Sequence, residues 1–399
     1  MTQSGPLTGV RVVEVAAWTF VPAAAAVLAD LGAEVIKVEP PSGDPQRALN
    51  IYNLTDDTPN PFLELPNRGK RSIALNLAEP DGRQVLLELA GRADVFITSY
   101  LPAVRAKLGI DVGDLRQVRP DIVYAIGSGW GRRGSMADSG GFDMAAGWAT
   151  SGLAYRLTAP GGEPPMQPPA FFDLQGSTAL AGAISTALFK RERTGEGSLV
   201  DVSLLNVGMW TMSPDIVGAA YADVRPPTRE EQRNPLVNTY LTKDDRWLCL
   251  VLLQSDRYWG ELCALIDAIH LVVDDRFIDA DARAANSVAC IRALDEVFAK
   301  RSLTDWKAIL ADFSGVWAPL GSAGELRSNP QVLANEFLPT ISTGESSFRL
   351  VSVPMRFDDS PSHPKAPAPG LGAHTDAILR DLGYDDQRRS ALRDRGVIA

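Results

Sequence analysis

The chain has 399 residues, of which 45% are hydrophobic and 22% charged, a composition typical of a globular protein long enough for two domains. Its formal net charge of −10 disfavours a nucleic-acid partner, because phosphate backbones are bound by clustered Lys and Arg. Three cysteines without a CxxC pair and only three histidines predict neither a disulfide framework nor a metal site. Without a leader-like segment or an apolar run of membrane length, we expect a cytoplasmic protein with no membrane partner.

The first third of the chain alternates apolar strands with helices. VRVVEVAA at residues 10–17 predicts a buried parallel strand, the alanine-rich stretch from Pro22 to Gly32 a helix, and EVIKVEPP a second strand. The same order repeats through RSIALNL, DGRQVLLELAGR, ADVFITSY, AVRAKLG and DIVYAIGS. Repeated strand–helix–strand units predict a doubly wound, mainly parallel sheet.

The remaining chain predicts the domain plan. Residues 127–162 are rich in Gly, Ser and Ala and predict loops around one short helix, after which Asp173 opens a long helix that leads into the strand SLVDVSLL. Past residue 215 the pattern indicates a linker, a hairpin turning at 243–245, several helices and, from about Leu350, a Pro-rich loop with one helix. We therefore predict an α/β fold: a large domain at 1–214 completed by 345–399, and a linker with a small α+β domain at 215–344.

A glycine-rich motif raises the possibility of dinucleotide binding. GWGRRG at residues 129–134 satisfies G-x-G-x-x-G and follows a predicted strand. The mechanism, however, needs a helix that begins inside the motif and presents its amides to a pyrophosphate. No helix pattern begins there, and the first strand-to-helix turn, Ala17–Pro22, has no glycine. We therefore disfavour a nicotinamide cofactor and expect these glycines to form a mobile loop beside a site.

Basic residues cluster at two places in the first domain. Arg68, Lys70 and Arg71 precede one strand, and Arg105 and Lys107 lie in a later helix. One interpretation is solvated surface charge, the usual environment of Lys and Arg. The other is a site for the phosphates of a nucleotide-bearing ligand, at loop boundaries where α/β folds bind ligands.

Two interpretations of Asp173 are possible, one structural and one chemical. An Asp at a helix start commonly caps the helix by accepting from its first amides. Apolar Phe171 and Phe172 before it, and Gly176 and Ser177 after it, also suit a reactive carboxylate. In that case the amides of residues 174–176 would stabilise a nearby oxyanion. His374 stands alone at another helix start and predicts no catalytic role.

Taken together, these segments resemble the CaiB/BaiF, or family III, CoA-transferases from about residue 6 to 399. The resemblance rests on the order and spacing of GPLTGVRVVEVA, LADLGAEVIKVEPPSGDPQR, NRGKRSIALNL, SYLPAVRAKLGID, GGFDMAAGWATSG, FFDLQGSTALAGAISTALFKRERTGEGSLVDVSLL and APGLGAHTDAILRDLGY. It implies a Rossmann-like large domain built from both chain ends, a smaller α+β domain, and a homodimer of two subunits interlocked like chain links.

The resemblance also implies a reaction and a site. The substrates would be an acyl-CoA and a carboxylic acid, with no tightly bound cofactor and no metal, and Asp173 would be the covalent nucleophile. With an ordinary Asp pKa of about 3.9, it would be ionised at neutral pH without a helper base. Asp143 would be a second carboxylate near the site. The implied CoA-contacting residues are Thr19, Phe20, Leu75, Ser99, Tyr100, Leu101, Lys107, Gly140, Gly141, Phe142 and Asp143.

Departures from the family pattern narrow the expected chemistry. Relatives that racemise 2-methylacyl-CoA carry a histidine at the position of residues 141–143, and this chain has none there. The glycine-rich loop of oxalate-using relatives is replaced by VLLQSDRYWG, which disfavours oxalate and formate, and Ser99 replaces the usual asparagine. Two alternatives stay open: a 2-methylacyl-CoA racemase or epimerase that uses Asp173 as a base, and a non-catalytic CoA-binding subunit.

Overall fold

The computed structural model describes residues 5–55, 58–225, 228–343, 346–358 and 360–399. The chain forms two compact units. The first contains the residues up to 155 together with 165–223 and 331–399, and the second contains 156–164 and 224–330. The main passages between the units therefore lie at 223–224 and 330–331, whereas the sequence pattern predicts boundaries at 214 and 345.

The first unit is built on a six-stranded parallel sheet, as the repeated strand–helix pattern predicts. Its strands are β1 (Arg11–Val15), β2 (Glu34–Glu39), β3 (Arg71–Ala74), β4 (Val95–Thr98), β5 (Val123–Ser128) and β6 (Leu199–Ser203). They lie in the order β3-β2-β1-β4-β5-β6, and every neighbouring pair is parallel. The order reverses between β1 and β4, the position at which doubly wound sheets open a crevice for ligands.

The helices that follow these strands are α1 (Phe20–Asp30), α2 (Pro61–Asn67), α3 (Pro80–Gly91), α4 (Pro102–Leu108), α5 (Val112–Val118), α6 (Leu153–Leu157), α7 (Phe171–Thr194), α8 (Leu204–Thr211) and α9 (Ser213–Gly218). A π-helical turn spans Met144–Ala149. Helix α1 begins two residues before Pro22. A proline is tolerated in this first turn because the amide that it lacks would have no helical partner there. Within the described residues, no helix is both long and apolar enough to cross a bilayer.

Helix α1 is buried along its whole length and packs against α7. Two glycines make this close approach possible. A Cβ atom on Gly127 would lie 2.2 Å from a Val21 side-chain atom, and one on Gly176 would lie 2.7 Å from the Phe20 ring. Because real Cβ atoms do not approach so closely, larger residues at these positions would force α1 away from α7 and β5.

The second unit has its own core. Its strands β7 (Val237–Leu241), β8 (Trp247–Val251) and β9 (Trp317–Pro319) form an antiparallel sheet. The predicted hairpin is confirmed: β7 and β8 pair, with Asp245 in the left-handed region at φ 56°. The helices are α10 (Ser255–Leu265), α11 (Ala280–Ala285), α12 (Ser287–Phe298) and α13 (Leu303–Ile309).

The C-terminal part returns to the first unit, and after Leu350 it has two helices rather than the single one predicted. Its elements are α14 (Pro330–Ala334), β10 (Thr340–Thr343), β11 (Ser346–Arg349), β12 (Arg356–Phe357), β13 (Ser360–Pro361), α15 (Thr375–Leu382) and α16 (Asp386–Asp394). Gly383 at φ 97° ends α15 in the left-handed region that favours glycine. Asp385 then caps α16 by accepting from the Arg388 amide. These adjacent stop and start signals divide one apparent helix into two.

Candidate active site

A cavity of about 630 Å³ opens beyond the carboxyl ends of β1, β4 and β5. This is the crevice expected where the strand order reverses. Residues from the β1–α1 turn, the segment after β4, the glycine-rich segment after β5 and the start of α7 line it. They are Ala17, Trp18, Thr19, Phe20, Ser99, Tyr100, Leu101, Pro102, Val104, Arg105, Ile126, Gly127, Ser128, Gly129, Gly131, Arg132, Ala137, Asp138, Ser139, Gly140, Gly141, Phe142, Asp173 and Leu204.

Asp173 lies in the first turn of α7 and contributes to this cavity wall. The prediction that it caps the helix is wrong. Helix α7 begins at Phe171, and Ala170 occupies the N-cap position with φ 60°. Left-handed backbone costs a non-glycine residue about 1–2 kcal/mol. The helix therefore starts one turn earlier than the sequence indicates, and the Asp173 carboxylate is not committed to capping.

The oxyanion donors also differ from the prediction. The Leu174 amide already donates to the Ala170 carbonyl, and the α-helical pattern likewise engages the amides of residues 175 and 176. The amides without an intrahelical acceptor are those of the first turn, residues 171–173. The positive end of α7 thus lies beside Asp173 itself, where it favours negative charge.

The expectation that Asp173 keeps an ordinary pKa is wrong. Burial, as the larger cause, and the negative charge of Asp143 together raise the pKa of this carboxyl to about 7. The helix N-terminus opposes this shift because it favours the charged form. Asp143 is 8% exposed, and its Oδ2 atom is buried without a hydrogen-bond partner among the described residues. The charge of Asp143 therefore acts on Asp173, and Asp173 is less fully ionised at neutral pH than an ordinary aspartate.

The β1–α1 turn forms an ordered wall of the cavity although it has no glycine. Trp18 adopts φ 69°, and its amide donates to Asp44 Oδ1 at 3.2 Å. The preceding Ala17 amide donates to Ser99 Oγ at 3.1 Å. Residues from the segments after β2 and β4 thus hold this turn in a strained conformation. Strain of this kind is characteristic of functional sites.

Asp44 is itself held in place by a buried network of charged side chains. Lys37 Nζ lies 2.8 Å from both Glu14 Oε1 and Asp44 Oδ2, and Lys70 Nζ lies 2.5 Å from Glu14 Oε2. Glu14 and Lys37 are direct partners in the parallel register of β1 and β2. Burial lowers the pKa of Lys70 to about 8, while the Glu14 charge acts in the opposite direction.

The phosphate-site interpretation of the first basic cluster is therefore wrong, and the surface interpretation holds only for Arg71, whose ion pairs are partly exposed. Arg68 is buried and bonds Asp30 at 2.8 Å, Lys70 is part of the Glu14 network, and Arg71 pairs with Glu34 and Asp381. None of the three lines the cavity. These cations fix the sheet and its surrounding loops and bind no phosphate there. A buried ion pair adds little net stability, because the cost of removing both charges from water offsets their attraction.

Two cations do line the cavity. Arg105 is buried, and its guanidinium donates to Asp111 Oδ1 at 2.9 Å and to the Tyr100 carbonyl at 2.7 Å. Arg132 is exposed, and within the part of the chain that the structure describes no ion pair engages it. Lys107 is exposed on α4 but does not belong to the cavity wall. Arg132 is the group on this wall best placed to meet an anionic ligand.

The glycine-rich segment after β5 lines the cavity, and no helix begins within the GWGRRG motif. Its fold depends on close backbone contact. A Cβ on Gly129 would lie 2.7 Å from the Gly141 Cα, and Trp130 Nε1 donates to the Gly140 carbonyl at 3.0 Å. The motif therefore shapes the cavity rather than presenting a helix N-terminus to a dinucleotide.

Most of the residues implied by the sequence resemblance meet at this cavity. Those on its lining are Asp173, Thr19, Phe20, Ser99, Tyr100, Leu101, Gly140, Gly141 and Phe142. Asp143 lies just behind the wall, and Leu75 is fully buried in the core next to Ile398. His374 has a structural role, since its Nδ1 accepts from the Ser72 amide at 3.1 Å. No cluster of metal-ligating side chains occurs among the described residues.

Comparison with known proteins identifies the family. Residues 7–375 match the description of CoA-transferase family III. The chain belongs to this family. It is 31% identical to an (R)-2-hydroxy-4-methylpentanoate CoA-transferase from Clostridioides difficile over 98% of the chain and 99% of that protein. It is 30% identical to a cinnamoyl-CoA:phenyllactate CoA-transferase from Clostridium sporogenes over 98% of the chain and 97% of that protein.

The fold agrees with this assignment. The crystal structure of a CAIB/BAIF family protein from Brucella suis superposes with a TM-score of 0.83 at 28% identity, covering 95% of this chain and 100% of that one. The relatives of this chain act as CoA-transferases on various acids. This chain is accordingly an enzyme that transfers CoA, and CoA-transferases use CoA thioesters as substrates.

Proposed function

We propose that Asp173 is the nucleophile of this CoA-transferase and that CoA passes through an aspartyl-CoA thioester. The observation that carries the proposal is the placement of Asp173: a carboxyl group on the cavity wall, in the first turn of α7, at the switch point of the sheet. The first-turn amides lie at the same helix end, where a tetrahedral oxyanion would gain from them.

The reaction would proceed in balanced steps. The ionised carboxylate attacks the donor thioester carbonyl, the carbon–sulfur bond breaks, and an aspartyl mixed anhydride and CoA thiolate result. The thiolate attacks the aspartyl carbonyl, which releases the donor acid and leaves the aspartyl-CoA thioester. An acceptor carboxylate then reverses both steps. Covalent catalysis divides one difficult exchange into easier ones, and a retained thiolate makes recapture effectively intramolecular.

The raised pKa of Asp173 has a role in this scheme. Only the ionised form can attack, but a carboxylate of higher basicity is a better nucleophile. The negative charge of the second carboxyl group, Asp143, disfavours the charged form of Asp173 and so keeps its pKa, and with it its basicity, high. We expect the wall cation Arg132 to meet a phosphate of CoA or a carboxylate of the incoming acid.

We propose acids with an apolar side chain as substrates. The rings of Trp18, Phe20 and Phe142 on the lining support this choice. So do the two relatives named for (R)-2-hydroxy-4-methylpentanoate and for cinnamoyl-CoA and phenyllactate. A panel of acyl-CoA donors against branched, aromatic and small acids would identify the pair that the enzyme uses.

Replacing Asp173 tests the proposal. Asp173→Asn keeps the shape of the side chain but cannot form the anhydride, and we expect transfer to fall by at least about 10³-fold. The matched control is Asp394→Asn, an exposed aspartate at the end of α16, which should retain full activity. Undiminished transfer by Asp173→Asn would refute the proposal.

A racemase or epimerase of 2-methylacyl-CoA is the second candidate, and the pKa of Asp173 near 7 is the observation that favours it. A carboxylate of that basicity is suited to remove an α-proton at neutral pH. Exchange of the α-proton with deuterium in the absence of any acceptor acid would indicate this activity. Transfer without such exchange would exclude it.

We also propose that the enzyme is the homodimer implied by its resemblance to the family. Large apolar side chains on and after α8 and α9 are exposed: Trp210 at 82%, Val217 at 64% and Tyr221 at 88%. Exposed apolar patches commonly mark interfaces. Light scattering should give about twice the chain mass of 42.9 kDa, and a monomer at working concentration would contradict the proposal.

A further inference from the structure

The cavity wall carries an aromatic pair that the transfer chemistry does not require. The rings of Trp18 and Phe142 meet edge to face with centroids 5.7 Å apart. They come from separate segments, the β1–α1 turn and the glycine-rich segment, and both line the cavity. Trp18 is 40% exposed and Phe142 is 61% exposed. Two large rings left open to solvent inside a concave site indicate a surface that a ligand covers.

The backbone that carries both rings is held in place before any ligand arrives. The strained backbone of Trp18 is fixed by the Asp44 acceptor. Phe142 follows Gly141, whose position leaves no space for a Cβ because one would lie 2.7 Å from Trp130 Nε1. Trp130 in turn bonds the Gly140 carbonyl. A pre-organised surface loses little conformational entropy on binding, which favours a selective contact.

The two segments that carry the pair also reach the surroundings of Asp173. Phe142 directly precedes Asp143, the carboxylate whose charge acts on Asp173. On the other side, Phe20, two residues after Trp18, packs its ring over Gly176, one turn beyond Asp173 in α7. If Asp173 attacks the thioester carbonyl, the part of the substrate next to it is the acyl group. The adenine of CoA lies at the opposite end of the molecule from that carbonyl.

We propose that the Trp18–Phe142 pair is the specificity-determining surface for the acyl group and selects aromatic acyl chains over small ones. This inference rests on the proposed role of Asp173. An aromatic acyl group adds a third ring to an existing edge-to-face pair and covers its exposed faces, whereas an acetyl group leaves them in water. The pair contributes to selection among acids and leaves the covalent steps unchanged.

Label exchange between an acid and its own CoA thioester tests the inference and needs no second acid as acceptor. Isotopically labelled 3-phenylpropanoate is incubated with 3-phenylpropanoyl-CoA, and labelled acetate with acetyl-CoA, and kcat/KM is measured for each exchange. In the unaltered enzyme we expect the phenylpropanoyl exchange to be the faster of the two. Phe142→Ala should lower the ratio of the two values about tenfold or more.

Three further variants sharpen the test. Phe142→Leu and Trp18→Phe keep an apolar side chain at the wall and should give intermediate ratios, so a folding defect of the alanine variant does not leave the question open. The matched control is Phe189→Ala, a 63% exposed phenylalanine on α7 outside the cavity lining. It should leave the ratio as it is in the unaltered enzyme.

Each other outcome overturns the inference. If both exchanges and the affinity for free CoA fall together in Phe142→Ala, the pair binds the adenine. An unchanged ratio in Phe142→Ala and Trp18→Phe means that the rings do not select the acyl group, while the role of Asp173 stands. If the unaltered enzyme exchanges acetate as fast as phenylpropanoate, aromatic selection is absent. Exchange that persists in Asp173→Asn would instead refute the proposed nucleophile.

Discussion

Because the Asp173 carboxyl is buried, we expect the free energy of unfolding to depend on pH by a predictable amount. Its pKa is about 7 in the folded protein against an ordinary value of 3.8. The folded state therefore binds the proton more tightly than the unfolded state, and stability falls as the pH rises through this range. The stability that the protonated carboxyl provides is complete below about pH 4 and is lost by about pH 8.

Asp173→Asn removes this dependence because an amide carries no charge to bury. One pKa unit corresponds to about 1.4 kcal/mol. The roughly three units between the two states therefore give the variant an advantage of at most about 4 kcal/mol at pH 8.5. At pH 5.5 the same reasoning gives about 2 kcal/mol. Partial exposure of the side chain and the α7 N-terminus reduce both values, but the advantage must still grow with pH.

The assay is urea unfolding of the unaltered enzyme, Asp173→Asn and the control Asp394→Asn at pH 5.5 and 8.5, followed by circular dichroism. We expect the free energy of unfolding of Asp173→Asn, relative to the unaltered enzyme, to rise by about 1–2 kcal/mol between the two pH values. The control should show no such rise. An advantage that is constant or shrinks as the pH rises would refute a buried, proton-binding Asp173.

Two further predictions concern the residues around the nucleophile. Asp143→Asn removes the second cause of the raised pKa of Asp173. The acidic limb of the plot of kcat/KM against pH should therefore move to lower pH. A limb that stays in place or moves to higher pH would contradict the effect of the Asp143 charge on Asp173. Asp44→Ala should raise KM for acyl-CoA about tenfold, because the Trp18 amide loses its acceptor. Asp44→Asn keeps an acceptor oxygen and should raise KM less. Equal KM values for the two variants in steady-state kinetics would show that the hydrogen bond to Trp18 is unimportant.

The sequence predicts the sheet and most of its helices because their signals are local. The hydrophobic period, the positions of proline and glycine, and the helix caps are sufficient to locate β1, α1 and β2. They fail at the start of α7 and where two signals lie close together, at Gly383 and Asp385. The family resemblance locates the residues of the cavity, since these follow the carboxyl ends of strands that the sheet order brings together.

The environment of those residues could not be predicted in the same way, because it depends on contacts distant in sequence. The pKa of Asp173 depends on burial and on Asp143, thirty residues earlier. The role of Lys70 depends on Glu14, fifty-six residues away. One signal was available: Glu14 and Lys37 stand in the middle of apolar strands, and a charge in a buried strand requires a partner. The need of Glu14 for positively charged partners would have predicted a structural role for the basic cluster instead of a phosphate site.

The most direct test of the central claim is the intact mass of the enzyme after incubation with an acyl-CoA and rapid quenching. A nucleophilic Asp173 predicts a species heavier by CoA less one water, mapped by peptide analysis to Asp173, absent in Asp173→Asn and discharged by a carboxylic acid. An adduct on another residue, or one that persists in Asp173→Asn, would contradict the proposed mechanism.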